Sequence, residues 1–203
     1  MAEAVVLPGR EIAGSERAVS SRQVADATVA AERIVVGALE TCIQRMGLES
    51  SEAAARRIEQ GDGLACMHCC CAMARQVAEL LGSVHQSIQA VYAPDCDACP
   101  QGFCFGEEGQ IPPSVHLLVW ARRKTAALDS QVAALRGSLA RIYQDKIGTR
   151  GLSSLLNVRV LEDADLRNWF GSGQRKQWST RLQSYLLAMN EPVDLVYARS
   201  MSR

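Results

Sequence analysis

The sequence has few aromatic residues, no excess charge of either sign and no long apolar run. Aromatic side chains make up 5% of the 203 residues, so the core must be built from Leu, Val, Ile and Ala. The 22 basic residues balance the 22 acidic ones, which argues against a uniform electrostatic field for nucleic acid or an anionic membrane. No stretch approaches the 18 consecutive apolar residues of a membrane span, so we expect no membrane association.

The amino terminus also lacks the features of a secretory signal. Its first residues, MAEAVVLPGREIAGSER, contain no basic segment followed by a long apolar run, so we predict a cytoplasmic protein. Arginine greatly outnumbers lysine, which is typical of a GC-rich, bacterial genome. In a cytoplasmic protein of this length, eight cysteines argue against a disulfide framework and favour metal, redox or core-packing roles.

The first part of the chain is predicted to be helical. Residues 1–20 show no periodicity, and we interpret them as a flexible arm that precedes a single α/β domain over residues 21–203. Apolar residues recur at helical spacing in three segments. These are Ser21–Met46, a short helix capped by Ser50 or Ser51 and ended by Gly61, and residues 64–81, with Asp62 as the N-cap and Gly82 as the stop. Residues 21–82 should therefore form a helical layer.

The second part, residues 83–203, alternates between strands and helices. Strands are predicted over residues 87–93, 115–121, 155–161 and 193–199, and helices over residues 124–147 and 174–189. The helix over residues 124–147 joins two strands in a βαβ unit, which should be parallel and right-handed. We therefore predict an α/β fold, with about three N-terminal helices followed by a small four-stranded mixed sheet.

A long loop over residues 94–114 separates the first two strands. It contains four of the six prolines and the stretch DCDACPQGFC, which carries Cys96, Cys99 and Cys104. Structureless loops of this length are uncommon in compact domains and usually serve a function or are disordered. The loop also holds Phe103, Phe105 and Ile111, so it should fold around something or dock on a partner.

The cysteines of this loop suggest a metal site. The C-x-x-C formed by Cys96 and Cys99 suits tetrahedral zinc, and Cys104 supplies a third thiolate. The fourth ligand could be His116 or a side chain from the third helix. A site that binds the metal through the four thiolates of Cys66, Cys69, Cys96 and Cys99 would attach the loop to that helix. The spacing matches no ferredoxin pattern, so zinc is favoured over an iron–sulfur cluster.

The third helix itself contains the string CMHCCC, for which two hypotheses compete. On a helical wheel, His68 lies with Arg75 on the exposed face, whereas Cys66 and Cys70 point the opposite way, so the string is not one ligand cluster. Core packing is therefore one interpretation of Cys66, Cys70 and Cys71. The other is that the helix N-terminus lowers the pKa of Cys66 and Cys69, which would give a redox-responsive protein.

Acidic residues near strand ends allow an enzymatic alternative. Asp95 and Asp97 follow the first predicted strand, and Asp163 and Asp165 follow the third. Asp95, Asp97 and either Asp163 or Asp165 could hold a divalent ion for phosphoryl or nucleotidyl transfer. Solvated turn acids are the simpler explanation.

Basic and aromatic residues alternate between Arg167 and Arg181, in RNWFGSGQRKQWSTR. Such a segment could stack on bases, but the neutral net charge makes nucleic-acid binding the less favoured interpretation. Taken together, the sequence favours a non-enzymatic accessory, regulatory or assembly protein. Its cysteine-bearing loop would hold a structural zinc or dock on a protein partner or a second copy of the chain.

Overall fold

The computed structural model describes residues 20–94, 114–149, 152, 154–171, 175–188 and 193–199. Within them the chain forms six helices and four strands, which confirms the predicted α/β class. The helices are α1 (Ser21–Met46), α2 (Ser51–Glu59), α3 (Gly63–Val84), α4 (Ala126–Ile147), α5 (Asp163–Phe170) and α6 (Arg175–Ala188). The strands are β1 (Ile88–Pro94), β2 (Val115–Ala121), β3 (Leu156–Glu162) and β4 (Val193–Ala198). The predicted arm lies outside the described residues, except for Ser20.

The four strands form one mixed sheet in the order β3-β2-β1-β4. Strand β1 pairs antiparallel with both β2 and β4, whereas β2 and β3 pair in parallel. Helix α4 connects the two parallel strands, so the predicted βαβ unit is present. Because β1 runs against its neighbours, its carboxyl end meets the amino ends of β2 and β3.

Helices α3 and α4 cover one face of the sheet, and α1 packs across both of them. The core between these layers is mainly aliphatic, as the composition requires, and it includes the buried side chains of Cys42, Cys66, Cys69 and Cys70. By length and composition α3 could also cross a membrane, yet half of its most apolar window is buried inside this fold. It is therefore the central core helix of the described structure.

The opposite face of the sheet packs against α5 and α6. Tyr92, Trp120 and Leu161 project from the strands into a second core that contains Trp178 of α6. The rings of Trp120 and Trp178 meet edge to face, with 6.4 Å between their centroids. The hydroxyls of Tyr92 and Ser179 are 2.9 Å apart and link the sheet to α6. Several of the few aromatic side chains are thus concentrated in this layer.

Two local features differ from the sequence-based expectation. Helix α3 does not stop at Gly82 but continues to Val84. Gly82 is buried there because the ring of Tyr197 occupies the space of a side chain: a Cβ atom would lie 2.4 Å from it. The second difference is α5, which begins immediately after β3 where no helix was predicted. Glu162 and Asp165 form a capping box at its start.

Candidate functional site on helix α3

Helix α3 presents different chemistry to its two sides. The helix begins where the Asp62 carboxylate accepts hydrogen bonds from the backbone N–H groups of Leu64 and Ala65, each at 3.1 Å. From this start, the helical repeat directs Cys66, Cys69 and Cys70 into the core. His68, Cys71 and Arg75 instead line an open pocket against α1. The helical wheel predicted that His68 lies on the opposite side of the helix from Cys66 and Cys70, and this prediction is confirmed.

The thiols on the core side are buried, and those of Cys42 and Cys66 have hydrogen-bond partners. Cys69 is 0% exposed and Cys66 is 7% exposed. The Cys66 thiol donates to the carbonyl oxygen of Ile58 at 3.8 Å, and the Cys42 thiol of α1 lies 3.7 Å from the Ala65 carbonyl oxygen. These contacts are those of small protonated core residues, the packing role that the sequence suggested for Cys66.

Burial decides the ionisation of these thiols. It raises the pKa of Cys66 from 9.0 to about 11, with smaller contributions from Asp62 and Cys42. Burial also raises the pKa of Cys69 well above its usual value and that of Cys42 to a lesser extent. A helix N-terminus stabilises a nearby thiolate by about 0.3–1 kcal/mol. The rise in the pKa of Cys66 corresponds to a penalty of roughly 2–3 kcal/mol against forming the thiolate. The expectation that the N-terminus makes Cys66 and Cys69 reactive is therefore wrong, because desolvation outweighs the dipole.

Tyr143 of α4 is a further polar side chain near the buried thiols. It is fully buried, and its hydroxyl has no hydrogen-bond partner among the described residues. Burial raises its pKa, and the neighbouring cysteines, Cys70 first, raise it further. The hydroxyl is thus a neutral group in a low-dielectric environment. Nothing in the sequence pattern distinguished Tyr143 from an ordinary core residue.

The structure describes only some of the residues of the predicted metal site. Cys96, Cys99 and Cys104 lie outside the described residues, as do Asp95 and Asp97. Among the residues that the structure does describe, no group of three or more His, Cys, Asp or Glu side chains could hold a metal ion. His116 is exposed at the start of β2, with its Nε2 atom 2.6 Å from the Ser114 hydroxyl. Zinc binding by the loop remains a prediction.

Cys71 differs from the other cysteines. It is disulfide-bonded, whereas Cys42, Cys66, Cys69 and Cys70 are in no disulfide. Its side chain is half-buried and lines the pocket rather than the core. The core-packing interpretation is therefore wrong for Cys71. The sequence could not reveal this, because a disulfide depends on which residues the tertiary fold brings together.

The pocket beside Cys71 lies on the seam between α1 and α3 and has a volume of about 190 Å³. The helices approach closely here because Gly37 of α1 lacks a side chain: a Cβ atom there would lie 2.9 Å from the Gln76 amide group. The polar side chains around the pocket belong to Thr41, Arg45, His68, Arg75 and Gln76.

The acidic residues of the enzymatic alternative follow two different strands, β1 and β3. Through the strand register, Pro94 at the end of β1 is level with Asn157 near the start of β3. Asp163 follows the far end of β3, roughly 20 Å away at about 3.3 Å per residue. Asp95 and Asp97, which follow Pro94 in the sequence, lie outside the described residues.

Asp163 and Asp165 instead have structural partners. The Asp163 carboxylate accepts a 2.9 Å hydrogen bond from the indole N–H of Trp120, and Asp163 is buried. The Asp165 carboxylate accepts a 2.8 Å hydrogen bond from the backbone N–H of Glu162 at the start of α5. Both carboxylates thus have structural roles at the start of α5, and the phosphoryl-transfer alternative stays a prediction.

The segment between Arg167 and Arg181 contributes to the second core. Trp178 is 4% exposed, and Trp169 and Phe170 pack against the same cluster. The Arg181 guanidinium donates a 2.7 Å hydrogen bond to the Phe170 carbonyl oxygen. Trp178 is therefore buried away from any nucleic acid, whereas Trp169 and Phe170 are partly exposed. No protein-family model, curated protein or solved structure matches the chain.

Proposed function

We propose that the protein is a non-enzymatic accessory or assembly protein whose cysteine-bearing loop is joined to α3 by a disulfide of Cys71. The observation that carries this proposal is the bonding state of the cysteines. Cys71 is disulfide-bonded and the four other described cysteines are in no disulfide. Of the eight cysteines in the chain, only Cys96, Cys99 and Cys104 remain as intramolecular partners, and all three belong to the loop.

A covalent link at Cys71 suits a binding role. Residues 94–114 hold Phe103, Phe105 and Ile111, three large apolar side chains in a segment rich in Pro and Gly. Ordering such a loop on binding costs conformational entropy, and a cross-link reduces this cost by restricting the free loop beforehand. The proposed surface is therefore a pre-organised apolar loop that docks on a protein partner or a second copy of the chain.

The disulfide also changes the metal prediction. It would remove one of the three loop thiols, and Cys66 and Cys69 are buried and protonated. The two remaining loop cysteines with His116 would give three zinc ligands rather than four. In our proposal the disulfide, and not a zinc ion, fastens the loop. Elemental analysis of protein purified without chelator tests this part separately, and stoichiometric zinc would contradict it.

Site-specific photo-cross-linking in cells tests the docking role. A photoreactive phenylalanine analogue at Phe105 should give a discrete cross-linked species, and the Cys71→Ser substitution should strongly reduce it. The same analogue at Glu52, an exposed residue of α2, serves as the control position. Equal cross-linking from both positions, or a loop cross-link that is unaffected by Cys71→Ser, would contradict the proposal.

A further inference from the structure

The disulfide-bonded Cys71 lies in a different environment from the other cysteines of α3. Cys71 is half-buried, whereas Cys66, Cys69 and Cys70 are at most 7% exposed. Thiol–disulfide exchange begins when a thiolate attacks a disulfide sulfur, so its rate depends on access to that sulfur. Because Cys71 is in contact with solvent, we expect a dissolved reductant to reach its disulfide without unfolding of the core.

The buried thiols of Cys42, Cys66 and Cys69 are poorly suited to attack this disulfide. The attacking species is the thiolate, and burial raises the pKa of Cys66 to about 11. At pH 7 only about one Cys66 thiol in 10⁴ is therefore ionised. Burial also raises the pKa of Cys69 well above its usual value and raises that of Cys42. Exchange with these core thiols is thus suppressed, and reduction of the disulfide requires a reductant from outside the protein.

We propose that the Cys71 disulfide is a redox-sensitive switch that a soluble dithiol reduces in the folded protein. One thiolate of the dithiol attacks a sulfur of the disulfide, forms a mixed disulfide and expels the other cysteine, which takes up a proton. The second thiol of the reductant then closes its own disulfide and releases the first cysteine, so two electrons and two protons pass to the protein. The switch rests on the proposed function, in which a loop cysteine supplies the second sulfur. Reduction removes the cross-link on which docking depends.

Titration of the native protein in mixtures of reduced and oxidised dithiothreitol tests the switch. Acid quenching, alkylation and peptide mass spectrometry then report the state of each cysteine. We expect complete and reversible loss of the Cys71 disulfide without denaturant, because no core residue has to unfold. Cys42, Cys66 and Cys69 should enter no disulfide at any ratio. In cells, a membrane-permeant dithiol should lower photo-cross-linking from Phe105 to the level of the Cys71→Ser variant.

The possible results distinguish the switch from the proposed function. A Cys71 disulfide that is reduced only after urea is added would overturn the switch while leaving the disulfide-joined loop intact. A disulfide that includes Cys66 or Cys69 at intermediate ratios would also overturn it, because the core thiols would then exchange with the bond. Cross-linking from Phe105 that persists after the Cys71 disulfide is reduced would show that reduction does not regulate docking. Absence of any Cys71 disulfide in the oxidised protein would instead contradict the proposed function itself.

Discussion

The indole N–H of Trp120 donates a 2.9 Å hydrogen bond to the Asp163 carboxylate, and both side chains are buried between the sheet and α5. Trp120 lies on β2 and Asp163 is the first residue of α5, so this bond fixes the short helix to the sheet. The carboxylate that could have been an ion ligand is therefore part of the fold.

Removing this acceptor should destabilise the protein. Asp163→Ala leaves the buried N–H of Trp120 without a partner, which costs about 1–3 kcal/mol in the free energy of unfolding. Asp163→Asn keeps an oxygen acceptor and should lose less. Urea denaturation of both variants measures the difference. If Asp163→Ala were as stable as the wild type, the bond would have no structural importance.

The contact between Gly82 and Tyr197 gives a second prediction. Gly82→Ala places a methyl group against the Tyr197 ring, and such overpacking typically costs 1–3 kcal/mol. Gly137→Ala is the matched control, because Gly137 is an exposed helical glycine of α4 whose added Cβ would meet nothing within 4 Å. The control should gain roughly 0.5–1 kcal/mol through helix propensity. Thermal or urea unfolding should thus show changes of opposite sign, and a stabilising Gly82→Ala would contradict the close packing.

Much of the fold follows from local sequence patterns. Strand β2 occupies the predicted residues, Val115–Ala121, and α4 ends at the predicted Ile147. Of the apolar repeat that predicted α4, Leu128, Val132, Leu135 and Leu139 are buried and Ile142 is half-buried. These elements were predictable because their periodicity extends over enough residues to be recognised.

Features that depend on distant residues were not predictable. The eight residues of α5 make only about two turns, too few to show an apolar repeat. Gly82 was predicted to end the helix because the sequence around it does not show its packing partner. That partner, Tyr197, lies far along the chain. The pKa of Cys66 follows from its burial rather than from its position near a helix N-terminus. The disulfide of Cys71 likewise depends on the tertiary structure.

The raised pKa of Cys66 predicts a pH dependence of stability. The folded state holds the thiol proton until the pH approaches about 11, whereas an unfolded chain releases it near 9.0. The contribution of the protonated Cys66 thiol to the free energy of unfolding is complete below pH 9. It is lost as the pH rises from 9 to about 11. Cys66→Ala should therefore show a smaller decrease in unfolding free energy across this window, measured by urea titrations at several pH values. Parallel curves for wild type and Cys66→Ala would contradict the shifted pKa.

The most direct test of the account is to determine which cysteines are bonded. One disulfide consumes two of the eight cysteines, so unfolded protein without reductant should titrate six thiols, and eight after reduction. Mass spectrometry of a non-reduced digest should then find the Cys71 peptide linked to the peptide that carries Cys96, Cys99 or Cys104. Eight free thiols in the non-reduced protein, or a Cys71 peptide without a cross-link, would contradict the proposed disulfide between the loop and α3. Either result would also contradict the function proposed from that disulfide.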